Sequence, residues 1–291
     1  MTGSNNKNIS VPQVVTSQDI MMGDINLKQP LPVRHLQNAD PFLLLHHVGP
    51  LFQNPHEKSV LDIGGHPHRG FEPITFIFKG QVHHRDSRGH DSIIEEGGVQ
   101  WMTAGMGIVH SESAPKSFVE EGGELELIQL WVNLPSSLKM NQPRYQGFQK
   151  QEIPALTMDK GKVVLNVISG KYFDTNGPVE SITGIQSCTI QMENQSTVEI
   201  ALNEEYRTLI YQLNGKSRVN RVLSNGYDLS VLPMGSDTVK IEADTDSLFL
   251  MVSGLPINEP IAQHGPFVMN TQTEILEAMR DYQMGKMGVL I

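Results

Sequence analysis

Two short stretches of this chain each carry a pair of metal-type side chains two positions apart. They are His66-Pro67-His68 and His110-Ser111-Glu112. On a β-strand, alternate residues point to one face, so each pair projects both side chains to the same side of a sheet. Imidazole and carboxylate groups gathered in this way suit a divalent transition metal. Iron, nickel, manganese, cobalt, copper or zinc would each accept a set of three histidines and one carboxylate. One such pair occurs often in strands that bind nothing. Two pairs separated by alternating strands and glycine-rich turns are more specific, because the intervening chain can bring the second strand back beside the first.

Other candidates nearby compete with these four. Glu72 lies four positions beyond His68 and would share its face on an uninterrupted strand, although Gly70 can break that register. His46 and His47 adjoin the end of an apolar strand, DPFLLLHHVGP at 40–50, and read as hydrogen-bonded structural residues. His83, His84 and His90 fall in HHRDSRGHDS, which reads as a solvated turn. Trp101 reads as core. SAPKSFVEEGGELE reads as an acidic loop ahead of the strand LELIQLWVNLP.

The elements that must position these residues are strands. FEPITFIFKGQVHHRDS gives two β-rich runs joined at Lys79-Gly80, and GGVQWMTAGMGIVHSE carries tight turns that return His110 toward His66 and His68. After a polar, Pro-containing passage at 135–150 the β character resumes in KVVLNVISG, STVEIAL, RTLIYQLNG, YDLSVLP, TVKIEA and SLFLMVSG. Ten of the eleven histidines lie at or before residue 110, so the second half offers no histidine set for a metal. Near the C-terminus the period becomes helical. Thr271 and Glu274 have capping-box spacing, Ile275, Leu276, Met279 and Tyr282 form an apolar stripe, and Gly285 is placed to end the helix.

HPHRGFE, HRDS, GGVQWMTAGMGIVHSE and EPIAQHGPFVMNT together resemble the pirin family of the cupin superfamily, from about Arg34 to Gly288. The resemblance implies an all-β fold of two cupin-type (jelly-roll) barrels with a C-terminal helix docking on the N-terminal domain. The expected layout is a flexible arm at 1–15, a metal-binding cupin domain at 16–140, a cupin domain without a metal set at 141–262, and a tail with helix at 263–291. By matching position the metal set falls on His66, His68, His110 and Glu112, holding one divalent ion, with iron the expected one. Seven residues rather than six separate Glu72 from Gly80, and Gly105 replaces the usual proline of the second cupin motif. Both departures favour pirin over a generic cupin. The family also implies O₂-dependent cleavage of a flavonol such as quercetin, a small aromatic substrate. Glu112 would then serve as general base for the substrate hydroxyl as well as ligand. The alternative is a metal-containing regulatory protein that binds a transcription factor or a metabolic enzyme.

Composition bounds the rest. With 22 Lys and Arg against 32 Asp and Glu, the formal charge is −10, which leaves no net attraction for phosphate backbones and argues against direct nucleic-acid binding. Cys188 is the single cysteine, so no intrachain disulfide forms. The polar start and the absence of a long apolar run predict a soluble, cytoplasmic chain without a membrane span, expected to be a monomer.

Overall fold

A computed structural model of the chain describes residues 10–290. The chain divides into two compact units. Residues 18–153 and 257–290 make one, and residues 10–17 and 154–256 make the other. Each is built from a seven-stranded and a four-stranded antiparallel sheet, the jelly-roll arrangement, with a largely apolar interior.

In the unit containing 18–153, the smaller sheet has the strand order Asp62–His68, Ile108–Ser113, Gln81–Asp86, Asp91–Glu95. The larger sheet centres on Phe71–Lys79, Gly123–Asn133 and Phe42–Gln53. These strands form because β-branched and aromatic residues alternate with polar ones, and the buried set closes one core. Leu27, Val48, Ile77, Val82, Ile94, Leu125 and Leu127 pack in it. The strand Phe42–Gln53 continues past Gly49-Pro50, where the opposing strand shifts register between Leu125 and Leu127 and absorbs the irregularity. The passage read as an acidic loop contains a short helix, Lys116–Glu121, pinned by the buried Phe118.

The other unit has an apolar interior of Val163, Leu165, Tyr172, Ile190, Phe249 and Met251, among others. Cys188 is buried there, and its thiol is pushed up to about 12 by burial, so it stays an unreactive thiol. Of the arm expected at 1–15, residues 1–9 lie outside the described residues. Residues 13–16 differ from the expectation. Gln13–Thr16 is a strand paired antiparallel to Asp228–Val231, because its central valines take β geometry and find an open sheet edge.

Residues 262–290 fasten onto the unit that holds the paired histidines. Val268 N–H donates to the Arg69 carbonyl at 3.0 Å, and Arg69 N–H donates to the Pro266 carbonyl. The Arg69 guanidinium, 5 % exposed, pairs with Asp281 at 3.1 Å and donates from Nε to the Met106 carbonyl at 2.7 Å. The helix Gln272–Gln283 has the expected Thr271/Glu274 capping box. Its docked stripe is narrower than expected. Ile275 and Ala278 are buried and Met279 partly so, against Val109 and Phe267, whereas Leu276 is 66 % exposed, because it sits about 100° around the helix from Ile275. Gly70 allows the close approach of this tail. Its φ is +87°, and a Cβ there would stand 1.9 Å from the Val268 carbonyl oxygen. Gly70→Ala is therefore expected to lower the thermal midpoint, with a loss of about 1–3 kcal/mol from the backbone strain alone and more from the displaced tail. An unchanged midpoint would show that the tail does not depend on this contact.

Candidate metal centre

His66 and His68 stand at the end of Asp62–His68, and His110 stands on the neighbouring Ile108–Ser113, where His110 pairs with His66. One extra residue lies in the first strand between these paired positions, so the register shifts between His110 and Glu112. All three rings meet, with centroids 4.8 Å apart for His66 and His68, 4.3 Å for His66 and His110, and 4.9 Å for His68 and His110. One ligand atom from each lies within 4.8 Å of the others. Two donors about 2.1 Å from one ion stand at most about 4.2 Å apart, so sub-ångström side-chain adjustment brings this set onto a metal.

The hydrogen bonds around the rings indicate what they are for. His66 Nδ1 lies 2.9 Å from the Gly64 carbonyl; a carbonyl only accepts, so the proton is on Nδ1 and Nε2 keeps its lone pair. His68 is 2 % exposed and neither of its ring nitrogens has a hydrogen-bond partner, and His110 Nε2 has none either. Burial, followed by the neighbouring imidazoles, holds His68 and His110 well below the usual histidine range; the Pro266 carbonyl, outside hydrogen-bonding geometry, opposes this at His68. Both rings are neutral at pH 7. Buried, neutral, unpartnered nitrogens facing one another are costly in a core, and a cation that accepts their lone pairs removes the cost. Among the described residues this is the single group of three or more metal-type side chains so placed. The residues present fit a divalent metal.

Glu112 is 5 % exposed, and its oxygens are not among the three clustered donors. Thr75 donates to Oε1 at 3.0 Å and Gln129 donates to Oε2 at 3.1 Å, while Trp131 Nε1 donates to Gln129 Oε1 at 3.3 Å. Phe71 and half-buried Trp131 flank His68, with centroids at 5.0 and 5.5 Å. Thr75, Gln129, Trp131 and Phe71 escaped the sequence reading, although Leu127, Gln129, Trp131 and Asn133 share one strand face and a lone glutamine there was a usable signal.

Glu72 does not join the cluster. The chain leaves one sheet at His68, turns at Gly70 and enters the other at Phe71, so strand parity is not carried across. The Glu72 carboxyl is fully buried and accepts from Thr103 Oγ1 at 2.6 Å, with Oε2 lacking a partner in hydrogen-bonding geometry. Burial pushes it from 4.5 up to about 7, against the opposing pull of Thr103 and Trp101. Its folded-state affinity for a proton exceeds the unfolded one, so its contribution to stability is full below pH 4.5 and is lost as pH rises through 7. Glu72→Gln, which does not titrate, is therefore expected to gain about 3 kcal/mol on the unmodified chain between pH 4.5 and 8. Denaturant titrations at the two pH values check this; a constant difference would contradict it.

His46 and His47 are structural. His46 bonds Gln29 at 2.7 Å, and His47 bonds Glu126 at 2.9 Å. Burial lowers His46 to about 4. The solvated turn expected for His84 is corrected by the structure. His84 is 2 % exposed on the strand Gln81–Asp86, where Val82, His84 and Asp86 alternate inward. It lies parallel to Tyr145 at 4.3 Å, and its Nδ1 stands 3.4 Å from His110 Nδ1. Trp101 is fully buried, as expected for core. No helix among the described residues is long and apolar enough to cross a membrane.

Two jelly-roll units, one with a three-histidine cluster compatible with a metal ion and one with an apolar interior, define a bicupin. The Pirin family model matches residues 24–132 and the Pirin C-terminal cupin domain matches residues 187–288. A Pseudomonas aeruginosa protein provisionally named a quercetin 2,3-dioxygenase is 37% identical over 262 residues, covering 88% of this chain and 91% of that one. The crystal structure of quercetin 2,3-dioxygenase from Acinetobacter baumannii matches with a TM-score of 0.90 at 34% identity, over 97% of this chain and 100% of that chain. The bacterial pirin YhhW from Escherichia coli, solved in complex with nickel(II), shares the fold, with a TM-score of 0.66 at 20% identity over 84% of this chain and 99% of that chain. The chain belongs to the pirin family.

Proposed function

We propose that this chain is a metal-dependent dioxygenase that cleaves a flavonol such as quercetin with O₂. The observation that carries the reading is the set of buried, unpartnered imidazole nitrogens on His68 and His110 beside His66. The names of the Pseudomonas and Acinetobacter relatives support the substrate class, and so does the half-buried aromatic face of Trp131 beside His68.

His66, His68 and His110 would hold the ion, with Glu112 as the fourth donor and iron as the proposed metal. A divalent ion there supplies a Lewis acid for the substrate's hydroxyl oxygen. Glu112 takes the hydroxyl proton. Thr75 and Gln129 each occupy one lone-pair direction of its carboxylate and leave another free on each oxygen, so the base is oriented without being used up. Half-buried Trp131 offers apolar area to a flat aromatic ring, and the fully buried Phe71 backs it at 4.3 Å and limits the water around His68.

Elemental analysis of the purified chain coupled to aerobic turnover of quercetin tests the reading. The expected result is one transition metal per chain with O₂ uptake in step with flavonol loss. Metal without turnover, for iron and for nickel, manganese, cobalt and copper in turn, would overturn the enzyme and favour a regulatory role.

A further inference from the structure

His110 differs from His66 in a way that bears on its ability to bind a metal. The partner of His66 Nδ1 is a carbonyl, which dictates the tautomer, whereas the partner of His110 Nδ1 is another imidazole, His84 Nδ1 at 3.4 Å. Either nitrogen of such a pair can be the donor. If His84 donated, His110 would carry its own proton on Nε2, toward His66 and His68, and could not bind an ion through that atom.

We propose that Asp86, acting through His84, keeps the proton of His110 on Nδ1 and so turns the Nε2 lone pair toward the metal, making His84 and Asp86 positioning residues of the centre. This inference rests on the reading of the three histidines as metal ligands. Its steps follow from who can accept. Asp86 receives four N–H groups: Oδ1 accepts from the backbone of Arg88 at 2.8 Å and of His90 at 3.2 Å, and Oδ2 accepts from His90 Nδ1 at 2.8 Å and from His84 Nε2 at 3.1 Å. A carboxylate so surrounded has acceptors only, and it obliges His84 to place its proton on Nε2. With its single proton on Nε2, His84 has a lone pair on Nδ1, which can only accept from His110 Nδ1–H. His110 Nε2 is left as a lone pair, and it is the nitrogen that lacks any partner. Tyr145, parallel to the His84 ring at an interplanar angle of 8° and hydrogen-bonded to Ser92 at 2.6 Å, fixes the plane in which this occurs.

Asp86→Asn isolates the claim. The asparagine oxygen stays with the two backbone N–H groups and the amide NH₂ replaces Oδ2, opposite His84 Nε2, which must now accept. His84 then protonates Nδ1, His110 loses its acceptor, and its proton moves to Nε2. His84→Phe keeps the stacked ring and deletes the acceptor, while His84→Asn returns an oxygen near the former Nδ1. Long-range ¹H–¹⁵N correlation spectra of the metal-free full chain read the tautomer, and cobalt(II) titration with a competing chelator reads affinity. Expected are a His110 protonated on Nδ1 in the unmodified chain and on Nε2 in Asp86→Asn. The cobalt(II) Kd should rise about 10- to 100-fold in Asp86→Asn and His84→Phe, the range for ligand-orienting partners, and most of the affinity should return in His84→Asn. An unmodified His110 protonated on Nε2, or an Asp86→Asn chain with the original tautomer and Kd, overturns the inference. A chain with the expected tautomer that fails to bind cobalt(II) or any other candidate ion overturns the metal reading instead, and with it the purpose assigned to His84.

Discussion

His68→Ala is expected to abolish metal retention. His68 is as enclosed as His110, and it has two unpartnered nitrogens and aromatic neighbours on two sides. Alanine removes a donor that no water can readily replace in so apolar a setting. Loss of a residue that only orients a ligand costs about 10- to 100-fold in metal affinity, so loss of the ligand itself is expected to exceed the upper figure. Dialysis against a chelator followed by elemental analysis should leave the unmodified chain near one ion and His68→Ala near none. His46→Ala is the matched control, since His46 is also a strand histidine but is bonded to Gln29, and it should retain the ion. Full occupancy in His68→Ala, or two ions in the unmodified chain, would sink the assignment.

Glu112→Gln is expected to separate binding from turnover. Proton abstraction by a well-placed group contributes about a hundred- to ten-thousandfold to rate, and an amide cannot perform it. Glutamine is tolerated at this position, because the Thr75 hydroxyl that donates to Oε1 can turn and accept from the new NH₂ while the remaining oxygen still accepts from Gln129. Quercetin turnover per bound metal is therefore expected to fall at least about a hundredfold, with the fold intact by circular dichroism. Normalising to metal content is essential, since the amide also changes the donor set. Turnover per metal equal to that of the unmodified chain would show that the proton goes elsewhere.

How much of this was readable from residues alone depended on whether a feature stayed within one strand. HPH and HSE could be placed on one face by counting in twos, and their juxtaposition followed from the turns between them. The same count failed for Glu72, because Gly70 carries the chain from one sheet to the other and parity starts again at Phe71. His84-Arg85-Asp86 has the same i, i+2 form as the other pairs, yet its polar surroundings, RDSRGHDS, suggested solvent. Burial of that strand comes from pairing with Ile108–Ser113, a long-range register that local polarity does not record. Thr75 and Gln129 reach Glu112 from positions 37 and 17 residues away, and no spacing rule connects them. The valines at 14 and 15 had strand propensity throughout, but the composition of the first fifteen residues masked it.

The exchange of chain ends between the units has a consequence for biosynthesis. Residues 13–16 precede the histidine-bearing half in the chain yet belong to the unit whose other strands begin at Ala155, and residues 257–290 belong to the unit whose seven- and four-stranded sheets end at Phe148. On a ribosome the half with the histidine cluster therefore waits for about a hundred further residues before Phe267, Asp281 and Met287 can close against Arg69, Val109 and Ser87. Until then the backbone of Arg69, beside His68, and the side chain of Val109, beside His110, lack their last partners, and a ribosome stalled anywhere between 154 and 256 holds a nascent chain with that face uncovered. A quality-control protease that meets the stalled chain would find the surface that Phe267 and Ile275 cover exposed.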